Sequence, residues 1–183
     1  MRVITGSAKG MRLETLEGID VRPTADRVKE AEFSIIQFEI EGRVALDLFA
    51  GSGALGIEAL SRGAKSATFV DSNKEAVQLI RANLAHTNLA QQASVAAGDF
   101  EQFLTYTKAV FDIVFIDPPY SKGLVDRALP LVAPHVSDGG VIICEAARTD
   151  TLPDGAGGFT LVRHGNYGKA TLGVYRKSTG DVE

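Results

Sequence analysis

Cysteine occurs once in the 183 residues, as Cys144, and tryptophan does not occur at all. A single thiol excludes an internal disulfide framework and a cysteine zinc site. Its apolar setting, Val141-Ile142-Ile143-Cys144, marks it as buried packing. Histidine is nearly as scarce: His86, His135 and His164 lie far apart without ligand spacing, so no metal is expected. No apolar run approaches the ~18 residues needed to span a membrane. Met1-Arg2-Val3-Ile4-Thr5-Gly6 has none of the marks of a signal peptide, so the expected location is the cytoplasm, with no membrane partner. What is present is ordinary. Apolar residues make up 45% and charged residues 23%, the proportions of a globular domain rather than a disordered, collagen-like or repetitive chain. A domain of this length buries roughly 70% of its unfolded surface and can hold a core without staples.

Acidic residues outnumber basic ones, for a net charge of −4. That balance argues against a protein that coats nucleic acid along its whole surface. The charge is unevenly placed. Residues 1–29 carry six basic groups, Arg2, Lys9, Arg12, Arg22, Arg27 and Lys29, against four acidic ones; the remaining 154 carry 13 against 19. Lys and Arg beside phosphates supply most of the affinity for nucleic acid, so the N-terminal segment is where such a partner would dock. An ordinary solvated scatter of charge would give the same count.

The chain divides near residue 42. Before it, Arg2 to Thr5 and Met11 to Glu14 read as two short strands around a Gly-bounded turn. After Arg22-Pro23-Thr24 a helical period places Val28, Ala31, Ile35 and Ile36 on one face, ending near Glu41-Gly42. From Arg43 strand–helix units repeat. Val44 to Phe49 is a nearly continuous apolar run, as in a strand buried on both faces. A helix from Leu55 to Arg62 stops at Gly63, and Ala67 to Asp71 is the second strand. Ser72-Asn73-Lys74-Glu75 forms a capping box opening a helix that buries Ala76, Val77, Ile80 and Leu84. Ala93 to Ala97, Phe111 to Ile116 and Val141 to Cys144 are further strands, the last preceded by a helix interrupted by Pro130. Thr160 to Arg163 and Ala170 to Tyr175 form a closing strand pair. Such alternation predicts an α/β fold with a parallel sheet covered on both faces. We therefore expect residues 1–41 to be an N-terminal extension and 42–183 the main domain.

Asp47-Leu48-Phe49-Ala50-Gly51-Ser52-Gly53-Ala54-Leu55-Gly56 places G-x-G-x-x-G between strand and helix. The glycines let the backbone turn tightly and approach a ligand at the helix N-terminus. Asp71, 20 residues after Gly51 at the next strand end, can accept hydrogen bonds from ribose hydroxyls. A dinucleotide oxidoreductase carries the same signal, and so does a tight turn without a ligand. Asp47 tilts away from the first, because an anion there suits a cationic ligand better than a pyrophosphate. Asp99 and Phe100, after the third strand, can hold an adenine by its amine and ring, or serve as a helix cap and a core residue.

Asp117-Pro118-Pro119-Tyr120, directly after the fourth strand, carries the chemistry. An exocyclic amine on a base is a poor nucleophile because its lone pair is delocalised into the ring. The Asp117 carboxylate and the Pro118 carbonyl can hold both N–H groups, draw the nitrogen toward tetrahedral geometry and stabilise its developing positive charge. The prolines fix the backbone. Tyr120 offers a flat face on which an extruded base can stack. The bland reading is a rigid turn.

Gly51-x-Gly53, Asp71, Asp99 and the D-P-P-Y tetrapeptide resemble the S-adenosylmethionine-dependent methyltransferases that modify exocyclic amines. Arg2-Val3-Ile4-Thr5-Gly6, Lys9-Gly10-x-Arg12-Leu13, Arg22-Pro23-Thr24-x-Asp26-Arg27-Val28-Lys29-Glu30-Ala31-x-Phe33 and Tyr167-Gly168 narrow the resemblance to the bacterial RsmD family, across nearly the whole chain. Two positions depart from its habit: Glu32 replaces an apolar residue, and Met11 falls in a commonly basic stretch. The resemblance implies a Rossmann-like class I methyltransferase sheet of seven strands, the last antiparallel, with an N-terminal hairpin and helix that grip RNA. It implies methylation of N2 of one guanine in 16S ribosomal RNA, with the rRNA or the small subunit as partner, by a monomer. Asp47, Ala50, Gly51, Gly53, Asp71, Ser72, Asp99 and Phe100 would hold S-adenosylmethionine. Asp117, Pro118, Pro119 and Tyr120 would hold the base, and Arg2, Lys9, Arg12, Arg22, Arg27 and Lys29 the phosphates. D-P-P-Y alone leaves adenine N6 open, and a non-catalytic RNA-binding factor of this fold stays a third possibility.

Overall fold

The computed structural model describes residues 1–16, 23–120 and 123–178. Helix α1 runs Pro23–Ile35. Strand–helix units follow: β1 (Val44–Asp47), α2 (Ala54–Ser61), β2 (Ser66–Asp71), α3 (Lys74–His86), β3 (Ala93–Ala97), α4 (Phe100–Tyr106), β4 (Phe111–Ile116), α5 (Leu124–Val132) and β5 (Val136–Ala147). Three strands close the chain: β6 (Gly155–Ala156), β7 (Phe159–Tyr167) and β8 (Ala170–Lys177). They form one sheet in the order β3-β2-β1-β4-β5-β8-β7-β6. β1 to β5 pair parallel, and the last strand, β8, lies antiparallel between β5 and β7. The expected seven strands become eight only through the two-residue β6, which pairs with β7. No helix among the described residues is long and apolar enough to cross a membrane.

Two apolar layers fill the faces of the sheet. Phe33 and Ile36 of the N-terminal helical region, Ile57 and Leu60 of α2, and Ile80 and Leu84 of α3 pack on Ala45, Phe69, Phe115 and Ile143. On the other face Leu104 of α4 and Val125, Ala128, Leu129 and Val132 of α5 pack on Leu46, Val114, Ile142 and Cys144. The alternation follows the two-residue period of a strand. It explains why β1, β4 and β5 read as continuous apolar runs: both faces are covered. Cys144 is fully buried, as its setting implied.

The N-terminal segment departs from the expected strand pair. Arg2 and Arg12 form a single antiparallel bridge, supported by Val3 N–H to the Met11 carbonyl at 2.9 Å and Gly10 N–H to the Val3 carbonyl at 2.8 Å. The amides of Ile4, Thr5, Ser7 and Ala8 are instead satisfied by α2. Both oxygens of buried Glu58 accept from the Ile4 and Thr5 N–H groups, at 2.8 and 3.0 Å. Ser61 accepts from Ala8 N–H and donates to the Thr5 carbonyl. Val3, Ala8 and Leu13 thereby share the core layer of α2 and α3.

Three smaller differences are local. α1 stops at Ile35 rather than near residue 41, and Ile36 and Ile40 are buried beyond its end. The cap of α3 is Asn73, whose side chain accepts from Glu75 N–H, and not Ser72. Pro130 falls in the last turn of α5, which continues for two residues beyond it.

Candidate active site

Every parallel strand ends in, or is followed at its carboxyl end by, an acidic residue. Across the sheet these are Asp99 after β3, Asp71 on β2, Asp47 on β1, Asp117 after β4 and Glu145 near the end of β5. In register, Asp47 lies beside Phe115, and Ile116 beside Cys144, so Asp117 and Glu145 are neighbours one step further on. Strand alternation puts Asp47, Asp71, Asp117 and Glu145 on the face covered by α1, α2 and α3. A cavity of about 770 Å³ opens there, bordered by all five of these residues and by Lys29 and Glu32 of α1. This is where ligands of open α/β sheets bind.

The glycine turn forms one wall. Asp71 holds it in place: one carboxylate oxygen accepts from Gly51 N–H and the other from Asn73 N–H, each at 2.8 Å. Gly51 has φ +54°, and a Cβ there would meet nothing within 4 Å. Gly51, with Ala50 and Ser52 beside it, lines the cavity, as does Ser72. Gly53 does not. It is buried at φ +80° against Ile57, Phe69 and Ile80, so it serves the turn rather than a ligand.

Asp47 is fully buried, and one of its oxygens accepts from Gly56 N–H in the first turn of α2 at 2.9 Å. Burial pushes its carboxyl up to about 7, against the opposing effect of that bond. Asp99 caps α4, accepting from Glu101 and Gln102 N–H, and Phe100 is buried with its ring 5.0 Å from that of Phe49. Both also border the cavity. The cap-and-core reading is therefore met, and both residues still present a surface to a ligand.

At the other wall Pro118 is buried while Tyr120 is 43% exposed. The Tyr120 hydroxyl donates to Glu145. Burial, reinforced by the charges of Glu145 and Asp47, holds the Asp117 carboxyl well above the ordinary carboxylate range. Glu32, 1% exposed, is raised well above its usual value by the same means, burial first and then Glu145, Asp117 and Asp47. Glu145 is raised by burial, with the Tyr120 hydroxyl opposing. The corner thus concentrates four carboxyl groups, which suits a cationic ligand and hydrogen-bond donors.

Glu145 carries no motif and was not among the expected site residues. The signal was available: its strand is another apolar run ending in an acid at the carboxyl edge. Glu32 was visible only as an acid where the resembling family has an apolar residue. α1 sets it four residues from Val28, which packs on Ala170 and Leu172 of β8, and so on the same helix face.

Arg2, Lys9, Arg12 and Arg27 are exposed, and the β-bridge brings Arg2 beside Arg12. Arg22 lies outside the described residues. Lys29 corrects an expectation. It is 2% exposed, its ammonium is 3.4 Å from Glu58, and it donates to the Arg2 carbonyl at 2.6 Å. It has nothing to offer a phosphate. A buried carboxylate that accepts two backbone N–H groups needs a compensating cation, and Lys29 and Arg62 supply it.

A family model described as Conserved hypothetical protein 95 matches residues 1–176. Similarity to individual proteins spans the same length. A Bacillus subtilis protein, YlbH, provisionally named an rRNA methyltransferase, is 38% identical over 182 residues, covering 97% of this chain and 99% of its own. The Escherichia coli protein named ribosomal RNA small subunit methyltransferase D is 34% identical over 179 residues, covering 97% and 90%. The solved structure of yhhF from Escherichia coli superposes with a TM-score of 0.84 at 34% identity, covering 98% and 99%. With matches along its whole length, the chain belongs to the Conserved hypothetical protein 95 family, that of the ribosomal RNA small subunit methyltransferases D.

Proposed function

We propose that the chain transfers a methyl group from S-adenosylmethionine to the exocyclic N2 of a guanine in 16S ribosomal RNA of the small subunit. One observation carries this reading. Asp117 and Pro118 border the same cavity as Gly51 of the glycine turn, so an amine and an activated carbon can meet there. The cavity fits the cofactor by its chemistry: open space above Gly51, carboxylates along one side, and an aromatic residue beside Asp99.

When bound, S-adenosylmethionine supplies a methyl carbon already activated on a sulfonium. The chain's own work is positioning and charge stabilisation. Asp47, with one oxygen on Gly56, offers the other to the ligand's ammonium. Gly51 and Ala50 pass the methionine half, Asp71 and Ser72 face the ribose, and Asp99 and Phe100 face the adenine. Asp117 and Pro118 accept the two N–H groups of the target amine. The proton that the amine nitrogen sheds on methylation would pass to the Asp117 carboxylate that already accepts one of its N–H groups. Pro119 shapes the loop, and exposed Tyr120 stacks on a base taken out of its helix. Exposed Arg2, Lys9, Arg12 and Arg27, with Arg22, hold rRNA phosphates, and residues 1–41 form the RNA-gripping part of a cytoplasmic monomer.

The test is transfer of tritiated methyl groups to rRNA and to small subunits from a strain lacking the enzyme, with the modified nucleoside identified by mass. N2-methylguanosine is expected. N6-methyladenosine would move the reading to adenine, and no transfer, without stabilisation by S-adenosylmethionine, would remove it.

A further inference from the structure

The amine-binding tetrapeptide does not by itself distinguish guanine from adenine, since both offer an exocyclic NH2. The atom next to that amine does. In guanine the neighbouring ring N1 carries a hydrogen; in adenine it carries a lone pair. A site that reads this difference needs an acceptor beside Asp117, aimed at the same cavity.

Glu145 stands there. The pairing of Ile116 with Cys144 puts its residue alongside Asp117 on the adjoining parallel strand, and strand alternation puts both side chains on one face. It borders the main cavity and also a second one of about 310 Å³, and Pro118, Pro119 and Tyr120 border both. The Tyr120 hydroxyl donates to one of its oxygens, which fixes the carboxylate and leaves its second oxygen free of hydrogen bonds among the described residues. Nearby, Glu32 is 1% exposed, borders the same cavity and receives no hydrogen bond among the described residues. Its carboxyl oxygens face the cavity, where a ligand's donors can reach them. This corner is therefore furnished with acceptors that the chain does not use.

We propose that Glu145 is the base-selecting residue: its free oxygen accepts the ring N1–H of guanine while Asp117 and Pro118 hold the 2-amino group. The assignment rests on the guanine-N2 reading above. A carboxylate there rejects adenine, whose N1 lone pair would face an anion with no proton between them.

The test compares guanine with 2-aminopurine at the methylated position of reconstituted small subunits. 2-Aminopurine keeps the 2-amino group but has a lone pair at N1. The wild-type protein is expected to methylate guanine about 100-fold faster, since the analogue would cover a half-buried carboxylate and leave it unpaired. In Glu145→Gln the Tyr120 hydroxyl still engages the side-chain oxygen, which turns the amide NH2 toward the base. The preference should then fall at least about tenfold, with affinity for S-adenosylmethionine within about twofold of wild type. Tyr120→Phe, which keeps the carboxylate, should be slower yet retain the preference. An unchanged preference in Glu145→Gln overturns the assignment, as does a parallel loss of cofactor affinity or a Tyr120→Phe preference as low as that of Glu145→Gln. Absence of guanine N2 methylation by the wild-type protein overturns the underlying reading, and the assignment with it.

Discussion

Gly56 in α2 lies against the ring of Phe69 in β2 so closely that a Cβ added to it would stand 2.3 Å from a ring carbon. The third glycine of the turn motif is thus a packing requirement between helix and strand. Phe69 is fully buried and has no room to retreat. Gly56→Ala should destabilise the protein by about 1–3 kcal/mol, read as a lower urea midpoint. Because Gly56 N–H is the donor to Asp47, S-adenosylmethionine should also bind more weakly.

Asp117 tests the chemistry apart from the cofactor. Asp117→Ala should lower methyl transfer by about 10²–10³-fold, while S-adenosylmethionine affinity by calorimetry stays nearly intact. Equal losses in both would show that the carboxylate serves the cofactor and not the base.

Asp47 sets a pH dependence. Its folded-state proton affinity, about 7, lies above the usual carboxylate value of 3.8. Between roughly pH 4 and 7 the folded chain therefore holds more protons than the unfolded one, and stability falls as pH rises. Glu32, Asp117 and Glu145 shift in the same direction and steepen the fall. Asp47→Asn removes its share. At pH 8 the ligand-free variant should gain on the order of 2–4 kcal/mol and melt about 4–10 °C higher, whereas stabilisation by S-adenosylmethionine should shrink. Melting curves at pH 5 and pH 8, with and without the cofactor, check both signs.

Two kinds of cation should respond differently to removal. Replacing exposed Arg12 and Arg27 with Ala should weaken rRNA binding and lower the slope of log affinity against log salt by about 1 per lost phosphate contact. Lys29→Ala should leave that slope unchanged. It strands buried Glu58 with one cation fewer, so chemical denaturation should show a loss of about 3–5 kcal/mol. An unchanged slope in the arginine variant would place the RNA grip elsewhere.

These contrasts mark where sequence reading succeeds and where it stops. The half-exposed edge strand β3 keeps its expected bounds between the turn after α3 and Gly98. β4 has the boundaries that its apolar run indicated, because residues buried on both faces announce themselves locally. Asp47, Asp71 and Asp117 were legible for the same reason, since each terminates or follows such a run. Glu145 depends on register: only the alignment of Ile116 with Cys144 brings it to Asp117. Lys29 looked like its basic neighbours because its partner Glu58 lies 29 residues away. The N-terminal strands shrank to one bridge because their amides find Glu58 and Ser61, more than fifty residues distant, and no local propensity encodes that.

All eight residues of α2 are buried, between the sheet on one side and the N-terminal segment on the other. A helix without a wet flank can loosen only when the whole assembly opens. Its amides should accordingly be among the last to take up deuterium. The glycine turn that borders the cavity runs straight into this fully enclosed helix, so that wall of the cavity is anchored to buried structure.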